Sequence, residues 1–138
     1  MTRVLIAEAI APDGIAYLRS RPGIEVDAAS GSDLVDLDAR LQSCDALIVR
    51  SSTRVTAALL AGAPRLKVIG RAGIGVDNID VGAATERGIV VLNTPDANAT
   101  TTAELTVAHL LSLSRHLPQA DRSVRATEWK RTQFMGTE

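Results

Sequence analysis

Five short aliphatic runs, at positions 3–8, 24–28, 46–49, 66–70 and 89–92, constrain this chain more than any other feature. Four are nearly continuous Val, Ile, Leu and Ala, whereas the second, Ile24-Glu-Val-Asp-Ala28, alternates apolar and polar side chains. A strand that is apolar at successive positions is buried on both faces, as strands of parallel sheets are. Between the runs lie stretches with helical spacing. Pro12-Asp13 opens one, and Ser32 caps a second that carries Leu34, Val35, Leu37 and Leu41. A third covers 56–63 and stops at Pro64, and a fourth covers 80–87 and ends at Gly88. Parallel strands need crossovers of this kind. The pattern predicts an α/β fold: a flavodoxin-like five-stranded parallel sheet, order 2-1-3-4-5, with helices on both faces.

Right-handed crossovers put every strand-to-helix loop on one edge of such a sheet, where ligands bind. The loops in question are residues 8–12, 30–31, 50–54, 71–78 and 93–98. The richest reads Arg71-Ala-Gly73-Ile-Gly75-Val-Asp77-Asn78. Glycines in a strand-to-helix turn let backbone N–H groups approach a small anion, and an arginine adds a planar fork of donors. Three readings compete: a dinucleotide fingerprint, a small-anion loop and a structural turn. The first nearly matches G-x-G-x-x-G, with Asp96 about 20 positions on, where a ribose-binding acid belongs. Against it, Asn78 replaces the third glycine, the unit is the fourth, and Asp96 lies beyond the strand in Thr94-Pro-Asp96. Arg50 follows the third strand, and adjacent strands lie about 4.8 Å apart. Arg50 and Arg71 therefore suit a single anionic ligand. Arg54 reads as part of a solvated loop, with a helix cap at Thr53 or Thr56.

Bulk properties exclude several classes. A net charge of −1 gives no attraction to nucleic acid or anionic membrane. Aromatic residues make up only 2% of the chain, too few for base-stacking platforms. No run is long or apolar enough to span a membrane, and Arg3 leads into a strand rather than a signal peptide. The single cysteine, Cys44, reads as a structural thiol in a reducing cytoplasm. His109 and His116 lie seven apart on a long helix and, with one Cys, match no common metal-ligand set.

After Pro95 the character changes. Residues 100–117 are apolar round most of a helix, through Leu105, Val107, Ala108, Leu110, Leu111 and Leu113, which calls for burial on more than one side. Pro118 is expected to interrupt this helix, and an amphipathic stretch then leads to Trp129-Lys-Arg-Thr-Gln-Phe-Met-Gly-Thr-Glu138, an arm or linker without a core of its own.

Three segments together resemble the D-2-hydroxy acid dehydrogenases: Val49-Arg50-Ser51-Ser52-Thr53, Val68-Ile-Gly70-Arg71-Ala-Gly73-Ile-Gly75-Val-Asp77-Asn78-Ile-Asp80, and Gly88-Ile-Val-Val-Leu-Asn93-Thr-Pro95. The resemblance covers essentially the whole chain and points to the branch of the family that oxidises 3-phosphoglycerate in serine biosynthesis. It implies residues 1–98 as a flavodoxin-like substrate-binding domain and 99–138 as an interdomain helix and arm, leading to an NAD-binding Rossmann domain that is absent here. The family's catalytic histidine, its glutamate partner and a catalytic arginine come from that other domain. The resemblance further implies that Arg50, Ser51 and Arg71 hold the anionic groups of a small 2-hydroxy acid. The backbone of Ala72, Gly73 and Ile74 cradles its carboxylate, with Ile74 against the nicotinamide. Asn98 contacts substrate, in the spacing Asn98-Ala-Thr-Thr-Thr102-Ala103-Glu104. Trp129, Lys130 and Arg131 pack against a partner subunit. On this reading the parent uses NAD, whereas the fragment holds no cofactor tightly, has no catalytic group of its own and is inactive. The rival is a non-catalytic flavodoxin-like module, natural or engineered, that self-associates. Either way the bare leucines predict a homodimer, with exchange of C-terminal helices as one route. A receiver-type domain is excluded, because Arg50 stands where its phosphorylatable Asp belongs.

Overall fold

A computed structural model describes residues 1–29 and 36–137. The chain divides into two compact units, Met1–Ala97 and Asn98–Glu138.

In the first unit, strands β1 (Thr2–Ile6), β2 (Ile24–Ala28), β3 (Ala46–Val49), β4 (Val68–Arg71) and β5 (Val90–Asn93) form one parallel sheet in the order β2-β1-β3-β4-β5. The helices are α1 (Pro12–Arg19), α2 (Leu37–Leu41), α3 (Ala57–Ala61) and α4 (Val81–Glu86). The predicted order and class are those observed. The Ser32 cap, with Leu34 and Val35, falls outside the described residues.

Alternation along the strands sorts side chains to two faces. Leu5, Leu47, Val49 and Ile69 are fully buried on one, packed with Leu41 of α2, Leu60 of α3 and Ala84 of α4. Burial of each such side chain contributes roughly 1.5–3 kcal/mol. On the other face Val4, Ile6 and Ala46 meet Ile15 and Leu18 of α1. That second layer is thin: Val90 and Leu92 at the β5 end remain 55% and 56% exposed.

Local chemistry explains the helix ends. Thr56, rather than Thr53, caps α3, its Oγ1 accepting the Leu59 N–H at 3.2 Å. Asp80 caps α4 through the Ala83 N–H at 2.9 Å, and Gly88 adopts φ 68° just past that helix, where a side chain would be strained.

The second unit contains α5 (Ala99–Ser114) and α6 (Leu117–Arg125). Sequence placed the break at Pro118, but α5 ends at Ser114 and His116 takes the left-handed conformation, φ 52°. The reason is steric. A proline cannot bond to the carbonyl four residues back and its ring collides with it. For Pro118 that carbonyl is Ser114, and its oxygen instead accepts the Thr137 N–H at 3.0 Å. Pro118 then sits harmlessly in the first turn of α6. The terminal segment is thus folded back rather than free. Gly136 lies so close to the backbone of Ser114 and Arg115 that a Cβ has no room there. None of α5 is buried, and Leu110 and Leu113 are 61% and 73% exposed. Among the described residues no helix is long and apolar enough to cross a membrane.

Candidate functional site

The loops after β3 and β4 emerge side by side because their strands are neighbours, with Val49 opposite Arg71 and Arg71 opposite Asn93. Arg71 is therefore the last residue of its strand, one step behind Arg50, which follows β3. The two loops are then joined again farther out. The Val55 N–H donates to the Asn78 carbonyl and the Asp80 N–H to the Val55 carbonyl, both at 2.8 Å, an isolated parallel bridge between Val55 and Ile79.

Between those fixed points the backbone of residues 50–53 is held by two side chains. The Glu8 carboxylate, just past β1, accepts the N–H groups of Arg50 at 2.9 Å, Ser52 at 3.0 Å and Thr53 at 2.8 Å. Partial burial pushes the Glu8 carboxyl up, but the hydrogen bonds from Thr53, Ser52 and Arg50 outweigh it and bring the pKa down to about 2. From the other side, Asn78 Nδ2 donates to the carbonyls of Arg50 and Thr53 at 2.9 and 2.7 Å.

The glycine loop is organised in a comparable way. The Ala72 N–H donates to the Val49 carbonyl at 2.8 Å, and the Gly73 N–H to the Arg71 carbonyl at 2.9 Å. The Gly73 carbonyl accepts from the Thr94 N–H at 3.0 Å, and the Ile74 carbonyl from Asn93 Nδ2 at 2.7 Å. Of the predicted cradle, Ala72 and Gly73 N–H groups are thus engaged by the fold. Those of Ile74 and its neighbour Gly75 donate to no group among the described residues. The Arg71 guanidinium lies directly against Gly73, in the space a Cβ would take.

This edge carries cations without ion-pair partners among the described residues. Some arginines of the first unit meet carboxylates: Arg3 with Glu25 at 3.4 Å, Arg65 with Asp45 at 3.2 Å. Among the described residues Arg50, Arg54 and Arg71 have no carboxylate within 4.0 Å. Arg71 Nε donates to the Arg50 carbonyl at 3.4 Å, and the Arg50 guanidinium reaches the Ala9 carbonyl at 3.5 Å. Glu8, whose carboxylate meets the Arg50 loop, is occupied by backbone amides. Two cations at adjoining strand ends are left with their charge uncompensated, beside unused N–H groups. That arrangement suits a small anion.

The structure brings Arg50, Ser51, Arg71, Ala72, Gly73 and Ile74 to one edge of the first unit, with the Arg50 and Ser51 side chains exposed. Asn98 belongs to the second unit and precedes α5, its carbonyl accepting the Thr102 N–H at 2.9 Å. Trp129, Lys130 and Arg131 also lie there, lining a groove with Val124 and Phe134. Trp129 is 82% exposed, and Lys130 pairs with Glu128 at 2.7 Å. Sequence reading passed over Glu8, although an acid at the end of the first strand, on the ligand edge, was a visible signal. It also saw Asn78 only as a failed glycine.

A dinucleotide does not fit residues 73–80. Asn78 is consumed by the neighbouring loop, a Cβ-sized space at Gly75 is bounded by Asp77 Oδ1 at 2.8 Å, and the Asp80 carboxylate already caps the short helix where a pyrophosphate would need to sit. Cys44 is buried, its thiol donating to the Arg40 carbonyl at 3.1 Å.

The chain belongs to the family of D-isomer specific 2-hydroxyacid dehydrogenases, whose catalytic domain matches residues 4–136. It is 47% identical over 136 residues to the D-3-phosphoglycerate dehydrogenase of Archaeoglobus fulgidus, a match covering 99% of this chain and 26% of that protein. It is 48% identical over 135 residues to the D-3-phosphoglycerate dehydrogenase of Mycobacterium tuberculosis, covering 98% and 25%. The chain therefore spans about a quarter of the length of the curated relatives it matches. Among solved structures, the TT0316 protein of Thermus thermophilus superposes with a TM-score of 0.86 at 33% identity, over 98% of this chain and 45% of that one. The NAD+-bound 3-phosphoglycerate dehydrogenase of Entamoeba histolytica does so with a TM-score of 0.72 at 28% identity, over 83% and 39%.

Proposed function

We propose that this chain is the substrate-binding portion of an NAD-dependent D-3-phosphoglycerate dehydrogenase, a cytoplasmic homodimer acting in serine biosynthesis. The observation that carries this is the pair of uncompensated arginines, Arg50 and Arg71, bonded through Arg71 Nε and the Arg50 carbonyl at 3.4 Å. Relatives named for 3-phosphoglycerate, which carries a carboxylate and a phosphate, supply a ligand of matching charge.

On this reading Arg50, Ser51 and Arg71 bind the acid's anionic groups. The loop at Ala72, Gly73 and Ile74 orients its carboxylate, with the N–H groups of Ile74 and Gly75 as donors. Ile74 forms the side of the site that faces the nicotinamide, and Asn98 adds a further substrate contact. Trp129, Lys130 and Arg131 approach a partner subunit. Residues 73–80 do not fit NAD, so the cofactor and the group that removes the C2 hydroxyl proton belong to a part of the enzyme outside these residues. What this chain contributes is binding and orientation.

The test is calorimetric titration of the purified chain with 3-phosphoglycerate, alongside an assay for NADH formation. Weak saturable binding, lost in the Arg50→Gln/Arg71→Gln double variant, and no turnover are expected. Oxidation of 3-phosphoglycerate by the chain alone contradicts this division of labour.

The exposed leucines of α5 favour a second reading, a self-associating binding module without catalysis. It predicts a dimer by light scattering and no affinity for 2-hydroxy acids.

A further inference from the structure

We propose that Glu8 is a positioning residue of the anion site, its carboxylate fixing the backbone from which Arg50 reaches the ligand. The inference rests on the anion-site reading above and adds a residue to it.

The sheet leaves one stretch of backbone without a partner strand. The chain of β1 is the partner of β3 as far as Ile48, whose carbonyl accepts the Ala7 N–H at 2.9 Å. Beyond that point the chain turns away toward α1, so the N–H groups of residues 50–53 have no strand to bond with. A backbone group without a partner costs roughly 1–3 kcal/mol when shielded from water. Glu8 takes the place of the missing strand. Its Oε1 accepts from both Arg50 and Thr53, and its Oε2 accepts from Ser52.

Arg50 is then held at both of its peptide groups. Its N–H is on Glu8, and its carbonyl accepts from Asn78 and from Arg71 Nε. Only its side chain is left to respond to a ligand, which lowers the entropy lost on binding. The choice of a carboxylate has a second consequence. Backbone amides absorb its charge, and no ion pair forms with Arg50, so the guanidinium keeps its charge for the ligand. A residue that served the fold alone would have no reason to act through Arg50, and this separates the two roles experimentally.

The experiment uses the 138-residue chain with 3-phosphoglycerate as the probe, and compares Glu8→Gln, Arg50→Gln and the double variant. Amide exchange is read at residues 50, 52 and 53, and at 47 and 69 in the core. Glu8→Gln keeps the shape but sets an NH2 group against an N–H. It should lower protection at 50, 52 and 53 by about tenfold while 47 and 69 hold, and weaken binding by about tenfold. Arg50→Gln should weaken binding with loop protection intact. In the double variant the two losses should not add, because Glu8 acts through Arg50. Additive losses, or full affinity in Glu8→Gln beside a weakened Arg50→Gln, overturn the role of Glu8. Wild-type affinity in Arg50→Gln overturns the anion-site reading itself, and the role of Glu8 with it.

Discussion

The side-chain amide of Asn78 donates to the carbonyl of Arg50 at 2.9 Å, across 28 residues of sequence. Asn78 occupies the place of the third glycine in a dinucleotide-type fingerprint, and this bond is the reason it is not one. A glycine would let a pyrophosphate approach. The asparagine instead ties the glycine loop to the loop that carries Arg50, and a wall of two loops and two cations results.

Asn78→Gly would complete the fingerprint by sequence while removing both of these hydrogen bonds, to Arg50 and Thr53. The expected outcome is a loss of roughly 1–3 kcal/mol, read from urea unfolding, with no gain of NAD binding by calorimetry. Tight NAD binding by this variant would restore the nucleotide reading.

Glu8 gives a pH dependence with a definite sign. Its carboxyl lies at about 2 in the folded chain, below the ordinary value of 4.5. A depressed pKa contributes stability that is fully present above about pH 5 and disappears as pH falls from there through 2. Urea unfolding at pH 7, 5 and 3 should show a decline concentrated below pH 5. In Glu8→Gln that decline should be smaller by about 1–2 kcal/mol, the full shift being discounted for the solvent that reaches this half-buried group.

Gly73 is small because the Arg71 guanidinium lies against it. Gly73→Ala should displace that flexible side-chain end, at little cost to unfolding free energy, and weaken binding of 3-phosphoglycerate. A large drop in melting temperature, with affinity retained, would make the glycine a purely structural requirement.

Leu47 is fully buried at the centre of the sheet. Leu47→Ala should destabilise the chain by about 2–5 kcal/mol, as a shift in the urea midpoint without a change in slope.

The strand order was readable because each of the five aliphatic runs is continuous or cleanly alternating, and parallel pairing follows from the crossovers between them. Arg50 and Arg71 were readable for the same reason, since each stands at the end of such a run. Glu8 was harder: its place at the end of the first strand, on the ligand edge, was visible, but its partners are backbone N–H groups 42 to 45 residues away. The end of α5 was placed three residues too late, because proline acts four residues back. The ring acts on the carbonyl of Ser114, while the pattern of apolar residues runs on to Leu117. Bond partners of Ala72 and Gly73 were likewise invisible, because they depend on register across β3, β4 and β5.

The most direct test of the anion site is a titration of isotope-labelled chain with 3-phosphoglycerate, followed by amide shifts. Saturable shifts centred on residues 50–53 and 71–75 are expected. Shifts that fall elsewhere, or none up to high ligand concentration, would contradict the anion site.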